Sequence, residues 1–508
     1  MIRPERIGFL TDFSGGLNTK AGPLNIADNE TPCCINVHTN IFKTLKKRRG
    51  FVPLNNTPLS QLNGNGLYDF AVSSTLRKLV GCFGTSIYKM DNLDGEWDLL
   101  KTGMSDSIYQ FDNFVDSSGN SHLIICNWAK DQPQIWDGSS STTSAIPNAP
   151  AGTAPKVYQN RVFILGYLSS RIYVSDAGSY TSYNTYYDEP TPDGDYFVGW
   201  GELKGILYAF KRYSIFRLSY TGSSPLYTRK KVANIGTIAP RSICNITVPD
   251  RGEVLAFLGP DARIYIFDGS DAYPISTKIE EDNGIAPVSL GTIDKDINIL
   301  KYAWALNYEP YYWYILCLAN RNSSKNNVWI IWDYASNSFW AFSNMYNLSG
   351  TLVVDNLGQK RIYTANYDGT AYLQDYGNSD NGENIESYWL SKRFDIQQYP
   401  VLKKGSEVWV TVKTIGNFPL NFYYRKNWES TWTSTENITQ YTDESLLGST
   451  FILGQSKLGG KEALTKVFNL PKLANLLQFK VSDNSKSPAW NLLRIDVPVE
   501  YLAVSKGA

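Results

Sequence analysis

The sequence has few of the residues and motifs on which common catalytic sites depend. It contains only two histidines, His38 and His122. Neither lies in an HExxH motif or beside a serine or cysteine nucleophile elbow. No P-loop and no dinucleotide-binding glycine fingerprint is present either. The sequence therefore predicts no catalytic residue of these classes and no cofactor.

The chain also lacks an excess of charge of either sign, because 48 Lys and Arg residues balance 48 Asp and Glu residues. A protein whose main task is to coat nucleic acid usually has a basic excess. The composition argues against that class but is compatible with a local basic surface. A chain near neutrality is poorly protected from self-association, which is compatible with a subunit of an assembly.

Cysteine motifs and long apolar runs are absent as well. The six cysteines form no CxxC pair and no zinc-like Cys/His spacing, so no metal site is predicted. Cys126 and Cys317 lie inside apolar runs, where small buried hydrophobic residues are expected. The N-terminus has no apolar signal core, and no run reaches transmembrane length. We therefore expect synthesis in a reducing cytoplasm and no membrane span.

Aromatic residues, by contrast, are abundant, at 14% of the chain. They suit pleated, half-buried surfaces, and frequent Gly and Asn between the apolar runs supply turns. Long helical periodicity is nearly absent. The chain is predicted to be all-β.

The clearest pattern is a unit of an apolar strand, a short turn and an aromatic strand, which recurs seven times. The aromatic strands begin 37 to 64 residues apart, close to the roughly 40–50 residues of a four-stranded propeller blade. They begin at Ile87, Ile135, Ile172, Ile215, Ile264, Val328 and Tyr372. Small sheets that cannot bury both faces alone do so when packed around an axis. The repeat predicts a six- or seven-bladed β-propeller-like domain, with a double sandwich as the alternative.

The repeat divides the chain into three expected parts. Residues 1–64 hold no repeat unit and are predicted to be a partly irregular N-terminal segment. Residues 65–387 are predicted to form the propeller. Residues 388–508 contain period-two runs such as SEVWVTVKTIG and are predicted to form a C-terminal β-sandwich.

Carboxylates that end the aromatic strands are the main candidates for chemistry, since a glycosidase needs only two across a cleft. They are Asp137, Asp268, Asp333 and Asp375. Each occupies an equivalent position of the repeat, which favours turn-forming Asp over a single catalytic pair. We therefore predict no catalytic site.

A basic run precedes the repeats and comprises Lys43, Lys46, Lys47, Arg48 and Arg49. Such a run is commonly a solvated face. The functional interpretation is a collar of positive charge that contacts DNA or an acidic partner and is multiplied by oligomer symmetry. These five residues are the candidate contact site.

The first fifty residues resemble the opening of many tail and head-closure proteins of tailed bacteriophages. In that family a GGLN turn leads to Asp-Asn-Glu, then Asn-Val, then a basic Arg-x-Gly segment. The matching residues here are 15–18, 28–30, 36–37 and 48–50. The resemblance continues in the same order through 171–186, 205–218, 258–276 and 369–389. It is strongest to the propeller-bearing tail nozzle or tail hub, and to related packaged-DNA stabilisation proteins, of short-tailed phages.

This resemblance implies a structural virion protein without enzymatic activity. The chain would form a homo-oligomeric ring, a hexamer, below the portal and adaptor proteins, with its N-terminal segment on the ring or adaptor side. The ring would close and line the DNA channel, retain the packaged double-stranded DNA and provide attachment for tail fibres. The protein would be made in the cytoplasm of the bacterial host and end in the virion tail.

Two other interpretations remain open from the sequence. One is a propeller-type tail protein that binds or cleaves glycans, which would need two carboxylates on one face and aromatic rings along a cleft. The other is a cellular WD-repeat scaffold, which is disfavoured because the regular Gly-His and Trp-Asp signature is missing.

Overall fold

In the computed structural model, nearly all of the regular secondary structure of the described residues is β-strand. The described residues are 5–129, 131–183, 185–187, 193–281, 284–287, 291–355, 357–395, 403–405, 407–413, 419–435, 437–439, 463–470, 474–486 and 488–501. Within these ranges there is one short α-helix, Ile297–Leu300, and there are three 3-10 helices, Pro240–Ser242, Ser276–Ile279 and Glu309–Tyr311.

Seven four-stranded antiparallel sheets, here called blades 1 to 7, make up most of the described chain. Blade 1 consists of Gly64–Ala71, Arg77–Phe83, Ser86–Asp91 and Asp98–Lys101. Blade 2 consists of Tyr109–Val115, Ser121–Asn127, Gln134–Trp136 and Ser144–Ala145. Blade 3 consists of Gly152–Tyr158, Arg161–Gly166, Ile172–Val174 and Thr185–Tyr187. Blades 4 and 5 are Phe197–Leu203, Ile206–Lys211, Ile215–Tyr220 and Tyr227–Ala233; and Cys244–Val248, Gly252–Leu258, Ile264–Phe267 and Ala272–Pro274. Blades 6 and 7 are Trp304–Tyr308, Trp313–Leu318, Val328–Asp333 and Ser338–Ser343; and Asn347–Val354, Lys360–Asn366, Ala371–Gln374 and Phe51–Pro53.

The strand composition explains why the blades pack against one another. Every residue of Trp313–Leu318 in blade 6 is buried, because both faces of that strand lie against other elements. The outer strand Tyr227–Ala233 of blade 4 instead places Lys230 and Lys231 in solvent. A strand in the middle of a blade is thus covered by neighbouring elements on both faces, whereas this outer strand meets water.

The ring of blades closes on itself. Asn347–Val354 of blade 7 packs beside Gly64–Ala71 of blade 1, and the Ser349 hydroxyl donates to the Gly64 carbonyl at 2.7 Å. The outermost strand of blade 7 comes from the other end of the chain, because Phe51–Pro53 pairs antiparallel with Ala371–Gln374. The all-β, propeller-like fold expected from the sequence is confirmed, and the described part of the chain forms seven blades.

Two further sheets pack face to face as a sandwich. The first contains Ala463–Asn469, Glu407–Lys413, Asn491–Tyr501, Leu45–Lys47 and Val37–Thr39 in that order, with Glu5–Leu10 and Lys403–Gly405 also paired to Asn491–Tyr501. The second contains Cys34–Ile35, Ile385–Leu390, Leu477–Ser485, Pro419–Lys426 and Thr433–Ser434, with Ile438–Thr439 paired to Pro419–Lys426. Phe422 of the second sheet stacks on Phe468 of the first at 5.1 Å, which places the core between them.

The N-terminal residues contribute strands to both sheets of the sandwich and then close the propeller. Two small additional sheets pair Gly16–Leu17 with Glu30–Thr31 and Glu280–Glu281 with Gly284–Ile285.

The propeller and the sandwich share a continuous apolar core. Phe13 meets Trp389 of the sandwich edge-on at 5.3 Å, and both side chains are fully buried. The same cluster extends to Ile330 and Trp340 of blade 6. The two domains are therefore packed together rather than joined by an exposed linker.

Candidate functional site

The basic run lies where the chain crosses from the sandwich to the propeller. Lys46 and Lys47 belong to the sandwich strand Leu45–Lys47. A few residues later, Phe51–Pro53 closes blade 7. We call this crossing, with residues 36–50 and the facing residues 379–386, the domain junction.

Arg48 is the central side chain of the domain junction. Its guanidinium forms two hydrogen bonds with the Asp380 carboxylate, Nη1 to Oδ1 at 2.7 Å and Nη2 to Oδ2 at 2.6 Å. Its Nε donates to Asn36 Oδ1 at 2.8 Å, and Nη2 donates to the Ser343 carbonyl at 3.2 Å. The side chains of Arg48 and Asp380 are only 3% and 5% exposed. A two-pronged pair of this kind is geometrically specific, and its burial makes each partner dependent on the other.

Asn36 extends the same network to both domains. It is buried in a left-handed backbone conformation, with φ of 56°. Its Nδ2 donates to Ser343 Oγ at 2.9 Å and to the Glu386 carbonyl at 2.6 Å. Ser343 ends blade 6 and Glu386 belongs to the sandwich, so one amide connects the two domains.

Lys47 forms a second buried ion pair. Its Nζ donates to the Asp483 carboxylate and, at 2.9 Å, to the Ser485 carbonyl. The Lys47 side chain is fully buried. Burial lowers the pKa of Lys47, and the neighbouring Asp483 carboxylate opposes that effect. This pair connects the two sheets of the sandwich.

The other three cations of the run are accessible to different extents. Lys43 is exposed and lies 2.9 Å from Asp12. Arg49 is exposed, with its guanidinium carbon 5.9 Å from the ring centroid of Tyr376. Lys46 is half-buried, and burial lowers its pKa.

The structure therefore separates the five candidate residues. Lys47 and Arg48 lie inside the protein, in ion pairs with its own carboxylates, rather than on a surface where DNA or a partner would contact them. Lys43, Lys46 and Arg49 retain access to solvent, and for them the contact role stays a prediction.

The hairpin turn just before the basic run exposes two large apolar side chains. Ile41 is 87% exposed and Phe42 is 75% exposed. Asn40 holds the turn in place, because its Oδ1 accepts hydrogen bonds from the backbone N–H groups of Phe42 and Thr44 at 3.0 and 3.1 Å. An ordered turn that presents apolar side chains to water is a candidate contact point for another protein.

The carboxylates at the repeat positions bind their own turns. Asp137, Asp268 and Asp333 each accept hydrogen bonds from backbone N–H groups two and three residues further along, at 2.7 to 3.1 Å. Burial raises the pKa of Asp137, but the hydrogen bonds from its turn outweigh burial and lower that pKa to about 2. Asp375 differs, since it has a left-handed φ of 54° and lies near Arg49.

The histidines have structural surroundings. His38 is buried in the sandwich, with Nδ1 2.9 Å from the Thr39 carbonyl and its ring edge-on to Trp313 at 4.9 Å. Burial, with a smaller contribution from Lys46, lowers the pKa of His38 to about 3. His122 Nε2 lies 3.0 Å from an Asp116 oxygen. Neither imidazole contacts a serine or cysteine nucleophile in these interactions.

The described ranges contain neither a metal-binding cluster nor a membrane-spanning helix. No group of three or more His, Cys, Asp or Glu side chains there is arranged to hold a metal ion. In the same ranges, no helix is long and apolar enough to cross a membrane.

The inner strands of the blades surround a cavity of about 370 Å³ on the propeller axis. Arg241, which precedes blade 5, donates from Nη1 to the Asn65 carbonyl at 2.8 Å and from Nη2 to the Tyr302 carbonyl at 3.1 Å. Burial lowers the pKa of Arg241 to about 10. Because Asn65 belongs to blade 1 and Tyr302 precedes blade 6, this side chain braces the ring across its axis.

Sequence reasoning missed Asp380, Asp483 and the exposed turn. The two aspartates lie 332 and 436 residues from their cationic partners, and no local pattern connects such distant positions. The sequence did contain an indication of the turn, because Ile41 and Phe42 are two adjacent apolar residues within the polar stretch TNIFK.

Comparisons with known proteins found only distant structural similarities. No protein-family model and no curated protein matches the chain. A chain in the crystal structure of the mitotic checkpoint complex has 13% identity and a TM-score of 0.39, over 63% of this chain and 92% of that one. PorZ, a bacterial surface component of the type-IX secretion system of Porphyromonas gingivalis, has the same identity and TM-score, over 69% of this chain and 44% of PorZ. Neither similarity bears on function.

Proposed function

We propose that this chain is a structural subunit of a bacteriophage tail, a nozzle or hub protein that catalyses no reaction. It forms a sixfold ring below the portal and adaptor proteins, retains the packaged double-stranded DNA and carries tail fibres. The observation that carries the proposal is where the phage-like N-terminal motif lies. Its segments 15–18, 28–30, 36–37 and 48–50 pack between the propeller and the sandwich or onto the propeller beside them.

The first two motif segments attach the N-terminus to the propeller. Gly16 has a left-handed φ of 68°, and a Cβ there would lie 2.7 Å from Ser338 Cβ of blade 6. Glu30 pairs with Lys278 at 2.9 Å and accepts a hydrogen bond from Asn18 Nδ2 at 2.8 Å. The glycine, the amide and the carboxylate of the motif thus each have a structural role here.

The last two motif segments form the domain junction itself. Asn36 and Arg48 bond to each other and to groups of both domains, as described above. Gly50 packs so closely on the Ser379 backbone that no side chain fits. A joint built from buried, directional bonds resists bending, which suits a ring subunit that must keep its place while it holds packaged DNA.

The exposed turn supplies a contact for a neighbouring subunit. Burying Ile41 and Phe42 against a ring neighbour would remove apolar surface from water, at about 1.5–3 kcal/mol for each side chain fully buried. In a closed ring the same contact repeats at every interface.

The glycan-cleaving alternative is less well supported. It needs two carboxylates free to flank a sugar bond. Asp137, Asp268 and Asp333 use their carboxylate oxygens within their own turns.

The decisive experiment is a cryo-EM average of the tail vertex of the phage that carries this gene. We expect a sixfold ring of this chain below the portal. Its absence from the tail axis, with density only at peripheral fibres, would refute the proposal and favour a glycan-binding protein.

A variant test addresses the turn separately. Replacing Ile41 and Phe42 together by Ser should leave the isolated chain folded but lower the yield of DNA-filled particles. The matched control is Leu357→Ser, which changes an 80% exposed side chain on the propeller. Equal particle yields from the two variants would contradict a role of the turn in assembly.

A further inference from the structure

The outer face of the second sandwich sheet alternates cations with aromatic rings. On strand Pro419–Lys426, Phe422 points into the core, whereas Tyr423 and Arg425 are half-buried on the sheet surface. Across the strand pair, Tyr423 lies opposite Lys480 and Arg425 lies opposite Gln478. We call this surface the arginine–aromatic face, and it consists of Arg393, Tyr423, Arg425, Trp428, Trp432 and Lys480.

Each cation of the face lies against a ring. The Arg393 guanidinium carbon is 4.7 Å from the ring centroid of Trp428, and that of Arg425 is 4.5 Å from Trp432. Lys480 Nζ is 5.5 Å from the centroid of Tyr423. Trp428 is 61% exposed, so it keeps ring surface open to a ligand although Arg393 lies over it. Stacking on a ring holds a guanidinium in place while its N–H donors stay available.

The two arginines have no carboxylate to neutralise them in the described part of the chain. Both donate from Nε to the same neutral oxygen, Gln478 Oε1, at 3.3 Å for Arg393 and 2.8 Å for Arg425. Burial lowers the pKa of Arg393, whereas burial and then the charge of Arg393 lower the pKa of Arg425. Glu429, the acid next to Trp428, lies 3.9 Å from Lys426 instead. Two like charges held side by side form a site for an anion.

We propose that the arginine–aromatic face binds single-stranded nucleic acid. Each nucleotide carries one negative charge and one flat ring, which is the alternation that this face presents. Arginine matches phosphate oxygens with a pair of N–H donors, and an exposed tryptophan stacks on an unpaired base. A duplex buries its bases and would use only the cations. The inference is independent of the proposed tail function, because it concerns binding by the isolated chain.

The test is fluorescence anisotropy of a labelled oligothymidine with the full-length protein. The double variant Arg393→Gln/Arg425→Gln should weaken binding. It should also reduce the magnitude of the slope of log affinity against log salt concentration by about 1.4, because each of the two lost contacts to a single-strand phosphate contributes about 0.7. Trp428→Ala should weaken binding roughly fivefold to a hundredfold through lost stacking.

The matched control is Arg251→Gln. Arg251 is an exposed arginine of the propeller that lies 5.3 Å from the ring centroid of Tyr273. This variant should bind as the original protein does, and circular dichroism should show that all variants are folded. A duplex of the same length should bind more weakly than the single strand.

Three results would overturn the proposal. They are no binding of oligothymidine, an equal loss in Arg251→Gln, or binding of heparin as tight as that of oligothymidine with no effect of Trp428→Ala. The last result would identify the face as a surface for anionic polysaccharide.

Discussion

Replacing Asp380 by Asn tests whether the Arg48 pair holds the domain junction. The change keeps the shape of the side chain but removes its charge, so Arg48 stays buried without a carboxylate. Arg48 and Asp380 are 3% and 5% exposed, and water cannot compensate for the loss. Removing one partner of a buried pair costs about 3–5 kcal/mol. Because Asn36 and Ser343 still accept hydrogen bonds from Arg48, we expect a loss of about 3 kcal/mol in the free energy of unfolding.

Removing Arg48 as well should cost less than the two single changes added together. In Arg48→Met/Asp380→Asn no charge remains buried at this position, so the penalty of an unpaired ion disappears. A double-mutant cycle should give a coupling energy of about 1–3 kcal/mol between the two side chains.

The assay is urea unfolding followed by tryptophan fluorescence, to which the buried Trp389 and Trp490 of the sandwich contribute. The matched control is Asp12→Asn, which breaks the exposed pair with Lys43. It should change the free energy of unfolding by about 0.5 kcal/mol or less, since exposed pairs contribute little. Equal effects of Asp380→Asn and Asp12→Asn would refute the reasoning.

Three further predictions use the same measurements. Burial lowers the pKa of His38 from 6.5 to about 3, so the unfolded chain takes up a proton there that the folded chain does not. The free energy of unfolding should fall as the pH drops from about 6.5 towards 3, by up to about 1.4 kcal/mol per pH unit. In urea titrations at stepped pH, His38→Gln should reduce this slope, and an unchanged slope would contradict the reasoning. In Gly50→Ala the new Cβ would overlap the Ser379 carbonyl oxygen, which should cost about 1–3 kcal/mol, and an unchanged urea midpoint would contradict the packing. Asp137→Ala should lower the free energy of unfolding by about 0.5–1.5 kcal/mol, because the hydrogen bonds of its turn are lost. The substitution should not affect sugar hydrolysis. A hydrolytic activity that is present in the original protein and absent from Asp137→Ala would show that the residue is catalytic.

The blade pattern was predictable because it is local. The composition of a run such as Trp313–Leu318 is enough to indicate a buried strand. The turn at Asp137 is likewise indicated by the residues next to it in the sequence. The spacing of such units then limits the number of blades. The same reasoning identified period-two strands such as Glu407–Lys413 in the C-terminal part.

The candidate site was less predictable because charge density does not show which way a side chain points. Lys46 and Lys47 are adjacent in a strand, so their side chains point to opposite faces. One is half-buried and the other is fully enclosed beside Asp483. The cations of the arginine–aromatic face are scattered through the sequence and form no run, so composition alone could not reveal them.

Local sequence therefore determined the strand content, the turns and the repeated blade unit of this protein, since each depends on residues close together along the chain. Only the tertiary structure decided which strand edges meet. It pairs Leu45–Lys47 with Asn491–Tyr501 and brings Phe51–Pro53 to Ala371–Gln374. A strand pattern specifies which face is buried but leaves the partner open, because any free edge offers the same backbone donors and acceptors. The partner is selected by packing and by bonds such as that between Arg48 and Asp380, which exist only once the chain has folded.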